Sequence, residues 1–155
     1  MAGWDQTVFN DRLRPAVAGM IANTRPKDTV SKIVADVAGV GFGLPVFQGG
    51  AANQITTAFA LDGFIGVTIR DVTLARTQVD IAFTDKYKQG ENAGILREGV
   101  IWVEASVAVS ANDAAYVTPA GAFTNVDGGG ANAGPIGRWD SDTAGVGLAR
   151  LELLK

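Results

Sequence analysis

The sequence contains no cysteine and no histidine among its 155 residues. Without cysteine, the chain can form no disulfide, no thiolate nucleophile and no iron–sulfur cluster. Without histidine, it lacks the general base of a Ser-His-Asp triad and the usual ligand of a zinc site. These absences exclude the commonest catalytic groups. No other motif of the sequence completes a site, so we expect no catalytic residues, no metal ligands and no cofactor.

Charged residues are also scarce, at 19% of the chain, where about 25% is typical. The net charge of −3 and the isoelectric point near 4.8 contrast with the basic surplus of nucleic-acid-binding proteins, so we expect no nucleic-acid partner. Low charge on a small domain indicates that part of its surface is buried against a partner. The alternative is a β-protein rich in alanine and glycine, with small side chains in its turns.

Long apolar runs are missing as well. The chain begins without the basic segment and apolar stretch of a secretory signal. The longest uncharged stretch, residues 37–61, is interrupted by Pro45, by the pair Gly49 and Gly50, and by Asn53, so it makes a poor bilayer span. We expect no membrane partner and a protein that stays in the cytoplasm where it is made.

Residues 1–43 differ from the rest of the chain, because their charges are nearly balanced and Pro15 and Pro26 interrupt them. Residues 29–38 fit either a helix or a β-branched strand. We predict an N-terminal arm or wrap over residues 1–43, followed by a β-domain over residues 44–155. The alternative for the first segment is an ordinary first layer of the core. Near-helical spacing predicts at most one short helix in the arm, from Phe9, Leu13, Val17, Met20 and Ile21.

Alternating apolar and polar residues predict β-strands from Leu44 onward. In residues 63–71, we expect Ile65, Val67 and Ile69 to share one face of a strand. Residues 100–105 and 148–154 alternate in the same way. Their expected inward side chains are Ile101, Val103, Ala105, Ala149, Leu151 and Leu153, and their expected outward side chains are Trp102, Glu104, Arg150 and Glu152.

A hairpin is predicted where residues 115–118 and 122–126 flank Thr118-Pro119-Ala120-Gly121. Proline at the second position and glycine at the fourth suit a type I turn. Residues 127–135 read as a glycine-rich loop, and residues 51–61 show no clear strand register. Short strands separated by glycine-rich turns predict a mainly β fold, either a small β-sandwich of jelly-roll type or a β-barrel.

Three segments resemble chemical motifs without matching them. Gly39-Val-Gly-Phe-Gly43 lacks the spacing of a dinucleotide loop, and we interpret its glycines as positions of close backbone approach. Asp140-Ser-Asp142 begins like a calcium loop, but Leu151 stands where that loop needs a glutamate, so we expect a polar turn, with a looser carboxylate–cation site as the alternative. Glu98 and Glu104 do not read as a glycosidase pair, because one lies by a probable turn and the other on a strand.

The tryptophans allow separate interpretations. Trp4 lies in the predicted arm and suits docking into a groove. Trp102 belongs either to the second face of a sandwich or to an exposed anchor for a partner. Trp139 is expected to cap a core.

Seven segments in succession resemble one family, the capsid cement proteins of tailed bacteriophages, also called decoration or head-stabilising proteins. Each segment alone is a strand or turn pattern, and their order and spacing carry the resemblance. They are residues 15–22 (PAVAGMIA), 43–47 (GLPVF), 63–71 (GFIGVTIRD), 87–90 (YKQG), 96–104 (LREGVIWVE), 112–121 (NDAAYVTPAG) and 147–153 (GLARLEL).

The resemblance implies a non-enzymatic protein on the exterior of the virion, assembled in the host cytoplasm. It would bind the major capsid protein, bridge its subunits and stabilise the head against internal DNA pressure. We also expect self-association as a dimer or trimer at symmetry axes. The alternative function is a glycan-binding β-sandwich on the virion surface, for which Trp102 and Asn92 are the only hints. The expected partner-binding residues are Trp4, Phe9, Arg12, Leu13, Arg14, Met20 and Trp102.

Overall fold

The structure is a computed structural model that describes residues 16–74 and 82–154. Within these residues it is mainly β, as predicted, with 45% of them in strands and almost no helix. No helix within these two ranges is long and apolar enough to cross a membrane. The strands of the described residues are β1 (Asp28–Val34), β2 (Val40–Gly41), β3 (Pro45–Gln48), β4 (Gln54–Thr56), β5 (Phe64–Thr68), β6 (Lys86–Tyr87), β7 (Asn92–Ala105), β8 (Ala114–Val117), β9 (Phe123–Thr124), β10 (Ala133–Trp139) and β11 (Gly147–Leu153).

Two closed rings of strands share the long strand β7. The sheet order is β1-β4-β3-β5-β7-β11-β10-β8-β9, and the additional pairings β1–β7 and β7–β9 close it on both sides. We call the ring of β1, β4, β3, β5 and the first half of β7 the first barrel. The second barrel contains the other half of β7 with β11, β10, β8 and β9. Closure leaves few unpaired strand edges.

Strand β7 changes barrels at Gly99. Residues 92–98 pair with β1, whereas residues 99–105 pair with β11. Gly99 has a φ of 128°, and a Cβ added there would lie 3.1 Å from the Cβ of Lys27. Glycine adopts this backbone conformation without steric cost, and other residues rarely do. The crossover between the barrels therefore depends on a glycine at this position.

The second barrel follows the predicted alternation. All six expected inward side chains of β7 and β11 are buried, while Trp102, Glu104, Arg150 and Glu152 lie on the other face at least partly exposed. Trp139 is fully buried in the same core. The predicted hairpin joins β8 to β9, and the N–H of Gly121 donates to the carbonyl of Thr118 at 2.8 Å. Burial of each large apolar side chain in this core stabilises the fold by about 1.5–3 kcal/mol.

The first barrel departs from the prediction at β5. Val46 pairs with Gly66 but Phe47 pairs with Phe64, so Ile65 is an extra, bulged residue. Val67 therefore packs in the larger hydrophobic cluster, which includes the core of the second barrel. Ile65 instead packs against the smaller cluster, which lies in the first barrel. The expectation that Ile65 and Val67 share a face is wrong, because the bulge reverses the alternation between them.

Polar side chains tie the short strands of the first barrel together. The hydroxyl of buried Thr68 donates to the carbonyl of Gly41 at 2.7 Å and accepts from the N–H of Leu44 at 3.0 Å. The Asp36 carboxylate accepts hydrogen bonds from both hydroxyls and one N–H of Thr56 and Thr57. Burial raises the pKa of Asp36, but these hydrogen bonds outweigh it and leave the pKa below its ordinary value.

The described part of the predicted arm, residues 16–43, is hydrogen-bonded into the sheet. Residues 28–34 form β1, which pairs antiparallel with β7 and parallel with β4. The β-branched side chains of this segment thus form a strand, one of the two alternatives left open for residues 29–38. Residues 17–20 form a turn, so the described part of the predicted helix is not helical. Residues 1–15, with Trp4, Phe9, Arg12, Leu13 and Arg14, lie outside the described residues.

Candidate functional site

Two of the predicted partner-binding residues, Met20 and Trp102, are cross-strand neighbours. Ile21 forms an antiparallel bridge with Ile101, and the N–H of Trp102 donates to the carbonyl of Met20 at 2.9 Å. Side chains directly opposite each other on an antiparallel pair share a face. Met20 and Trp102 therefore lie side by side on the outer face of the second barrel, where Met20 is 43% exposed and Trp102 is half-buried.

Arg150 extends this pair along the same face. It lies opposite Trp102 in the β7–β11 register, and its guanidinium carbon is 5.9 Å from the centre of the indole ring. Its Nε lies 3.2 Å from Oδ2 of Asp140, a contact between charges without hydrogen-bond geometry, while Nη2 donates to the carbonyl of Asp140 at 3.1 Å. We call Met20, Trp102 and Arg150 the docking stripe. Its arginine is held in place by contacts within the chain itself.

An ion-pair cluster borders the docking stripe. Glu152 accepts from Nη1 of Arg25 at 3.1 Å and from Nε of Arg138 at 2.7 Å, and its side chain is only 14% exposed. Alternation in β11 predicted that Arg150 and Glu152 point outward. It could not predict that Arg25, 127 residues away in sequence, joins them.

A groove opens between the two barrels near the end of β7. It has a volume of about 290 Å³ and mostly apolar walls. Val146 is 70% exposed, Leu44 is 39% exposed, and a Cβ added at Gly121 would meet no atom within 4 Å. We call this the inter-barrel groove. Its principal lining residues are Ala18, Leu44, Glu104, Gly121, Phe123 and Val146.

The structure does not assemble the chemical motifs considered in the sequence. Glu98 and Glu104 are six residues apart on β7, about 20 Å of strand. The Asp142 carboxylate accepts from the N–H of Ala111, while Asp140 faces Arg150. Within residues 16–74 and 82–154, no group of three acidic, histidine or cysteine side chains could hold a metal.

Gly39 and Gly43 lie at close backbone approaches, whereas a Cβ added at Gly41 would meet only the side chain of Leu44. A Cβ added at Gly43 would lie 2.6 Å from the nitrogen of Gly19, and one at Gly39 would collide with the carbonyl oxygen of Tyr87. Both residues have a positive φ. This agrees with the interpretation of Gly39 and Gly43 as packing positions.

The fold and this face define a small protein of two fused β-barrels with a surface suited to protein contacts. The family model for the structural cement protein (E217 gp24/Pam3 gp6) matches residues 5–154. The chain therefore belongs to the phage structural cement protein family, as the resemblance in sequence implied.

A solved structure supports the same fold. A chain from the capsid of Myoviridae Phage XM1 is similar to this one, with a TM-score of 0.72 and 18% sequence identity. The similarity covers 100% of this chain and 99% of the other. No curated protein matches the sequence.

Proposed function

We propose that this protein binds the outer surface of a phage capsid without enzymatic activity. It bridges adjacent major capsid subunits and stabilises the head against the pressure of packaged DNA. Membership of the structural cement family supports this role. The observation that carries the proposed contact is the docking stripe, an exposed methionine, a tryptophan and a braced arginine on one face.

The composition of the docking stripe suits a binding hot spot. Tryptophan and arginine are enriched in measured hot spots, because tryptophan covers a large area at little cost in conformational freedom and arginine adds several hydrogen-bond donors to its contact area. Arg150 is already positioned by Asp140 and by the Trp102 ring, so binding costs less side-chain entropy. Met20 adds a flexible apolar side chain, which can adjust its conformation to the partner's surface. We infer that the stripe contacts the major capsid protein.

The N-terminal segment supplies a second contact. Fifteen extended residues span about 50 Å, enough to cross onto a neighbouring capsid subunit. Ordering them costs about 1–2 kcal/mol per residue, so apolar anchors are needed, and Trp4 and Phe9 provide them. Burial of apolar surface against a partner contributes about 25 cal/mol of favourable free energy per Å².

Self-association and repetition on the lattice strengthen the attachment. We propose a dimer or trimer at capsid symmetry axes, in which each copy contributes one docking stripe and one arm. Because linked sites bind as one unit, a modest pairwise affinity becomes a strong overall one. The protein would join the exterior of the head in the host cytoplasm.

Sedimentation with undecorated heads of the cognate phage tests the proposal. The wild-type protein is expected to pellet with the heads at a fixed ratio, with added density at symmetry axes in electron cryomicroscopy. Trp102→Ala and removal of residues 2–15 should each lower occupancy at least about tenfold, since a hot-spot tryptophan is worth about 2 kcal/mol or more. Val72→Ala, an 85% exposed residue remote from the stripe in sequence, is the control.

Wild-type protein that stays in the supernatant would overturn the proposal. If Trp102→Ala bound heads at wild-type occupancy, the docking stripe would not be a capsid contact. The same result after removal of residues 2–15 would exclude the N-terminal segment as a contact. The glycan-binding alternative has weaker support, because Asn92 and Trp102 lie ten residues apart on β7, about 30 Å of strand. Saturable sugar binding by the isolated protein, without head binding, would favour that alternative.

A further inference from the structure

The inter-barrel groove carries one charged side chain, Glu104, among its apolar walls. No ion pair involves Glu104 within the part of the chain that the structure describes. Three other surface cavities are each lined by a cationic side chain: Arg70 and Lys86 in one, Arg97 in a second, and Lys32 with Arg97 in a third. The inter-barrel groove is therefore suited to an apolar side chain that is flanked by positive charge.

The chain itself offers such a side chain close by. Leu13 lies between Arg12 and Arg14, and it precedes Ala18 of the groove wall by five residues. Five extended residues span at most about 17 Å. A leucine on so short a tether has an effective concentration in the millimolar range at its own groove, well above that of a second copy in dilute solution.

We propose that the side chain of Leu13 occupies the inter-barrel groove of its own chain, with a flanking arginine paired to Glu104. The volume of the groove, about 290 Å³, accommodates one leucine side chain and part of its backbone. This inference refines the arm described above, and in that respect it rests on the proposed function. Docking of Leu13 would fix the N-terminal arm at residue 13. The twelve residues before it, which include Trp4 and Phe9, span about 40 Å when fully extended.

Disulfide trapping tests the contact, because the chain has no cysteine of its own. The double variant Leu13→Cys with Val146→Cys is oxidised with glutathione disulfide, which takes up the two thiol hydrogens and is reduced to glutathione. The matched control pairs Leu13→Cys with Val72→Cys, which lines a cavity that holds its own cations. Val146 and Val72 are both well exposed, so neither change should affect folding.

The expected product is a monomer that has lost two hydrogens and migrates faster on a non-reducing gel. It should form at least about tenfold faster than the control product at micromolar protein, because the tether favours the groove. Covalent dimers as the main product would overturn docking within one chain and indicate exchange between copies. Equal rates for the two variants would overturn the docking altogether.

Protease accessibility provides a second measurement without any new cysteine. Trypsin cleaves after Arg12, and docking of Leu13 should slow that cleavage. Glu104→Gln is expected to speed it about threefold, since an exposed ion pair contributes modestly. Glu98→Gln, on the first half of β7 and outside the groove, is the control and should change nothing. Equal rates for Glu104→Gln and wild type would remove the ion pair from the proposal.

Both measurements use the protein free in solution, whereas the proposed function is tested on phage heads. A failed disulfide with intact head binding would reject only the docking of Leu13. A disulfide that forms in a protein unable to bind heads would reject only the proposed function.

Discussion

The two barrels share a strand but are stabilised differently. The second barrel has regular alternation along β11 and its half of β7, around a large core that includes Trp139 and Leu151, although β10 shifts its register between Ala133 and Gly137. The first barrel has strands of only three to seven residues around β7, a bulge at Ile65, and polar ties through Thr68 and Asp36. The difference teaches that, where strands are short, partly buried side-chain hydrogen bonds supplement the apolar core that both barrels have.

The largest expected effect tests whether the barrels unfold together. Leu151→Ala in the second barrel and Ile55→Ala in the first each remove a fully buried side chain. Each should lower the free energy of unfolding by about 2–5 kcal/mol. Because β7 belongs to both barrels, urea denaturation should show one transition with an unchanged slope in each variant. Separate transitions for the two barrels would contradict this coupling.

A glycine series tests the crossover on β7. Gly99→Ala introduces a side chain at φ 128° beside Lys27 and should cost about 1–3 kcal/mol of stability. The new side chain of Gly121→Ala would extend into open space at φ 78°, so its loss of stability measures the cost of the positive φ alone. Gly145→Ala meets open space without a positive φ and should change stability by less than about 0.5 kcal/mol. Thermal unfolding measures all three, and any other order would refute the crossover argument.

The smallest effect is the acid response of the first barrel. The pKa of Asp36 is lowered in the folded state, so the unfolded chain binds the proton more readily. The stabilisation is present above the ordinary pKa of 3.8 and is lost as the pH falls through the lower, folded value. Asp36→Asn should flatten the fall in stability below about pH 4, as measured by urea unfolding at several pH values. An unchanged pH profile would show that the hydrogen bonds of Asp36 contribute nothing to the acid response.

Asp113 provides the comparison from the second barrel. Hydrogen bonds from Asn125 and the N–H of Ser110 lower its pKa, and its side chain is half-buried like that of Asp36. We expect Asp113→Asn to alter the pH profile less than Asp36→Asn, because Asp113 accepts two hydrogen bonds and Asp36 accepts three.

The same contrast explains how much the sequence could predict. Alternation along β7 and β11 identified the buried side chains of the second barrel, and the Thr118–Gly121 turn identified its hairpin. In the first barrel, a bulge is one extra residue that leaves no periodic signal, and β4 has only three residues. The pairing of β1 with β7 could not be predicted either, since no local feature of the sequence indicates it.

The candidate site shows a similar division. Alternation placed Trp102 and Arg150 on the outer face of their strands, and the structure places them opposite each other. That Met20 joins them depends on a bridge between Ile21 and Ile101, eighty residues apart. The contribution of all seven predicted partner-binding residues, Met20 and Trp102 included, stays a prediction.

The attachment of residues 19–22 beside β7 has a mechanical consequence. Gly19 and Ala22 donate to the carbonyls of Trp102 and Val100, Met20 accepts from Trp102, and Gly19 also accepts from the N–H of Arg70. The three hydrogen bonds to Val100 and Trp102 lie side by side along β7, and the fourth joins Gly19 to the segment that follows β5. A pull on the N-terminus, directed along β7, would load those three in shear and together, so force on the arm passes into the strand that both barrels share.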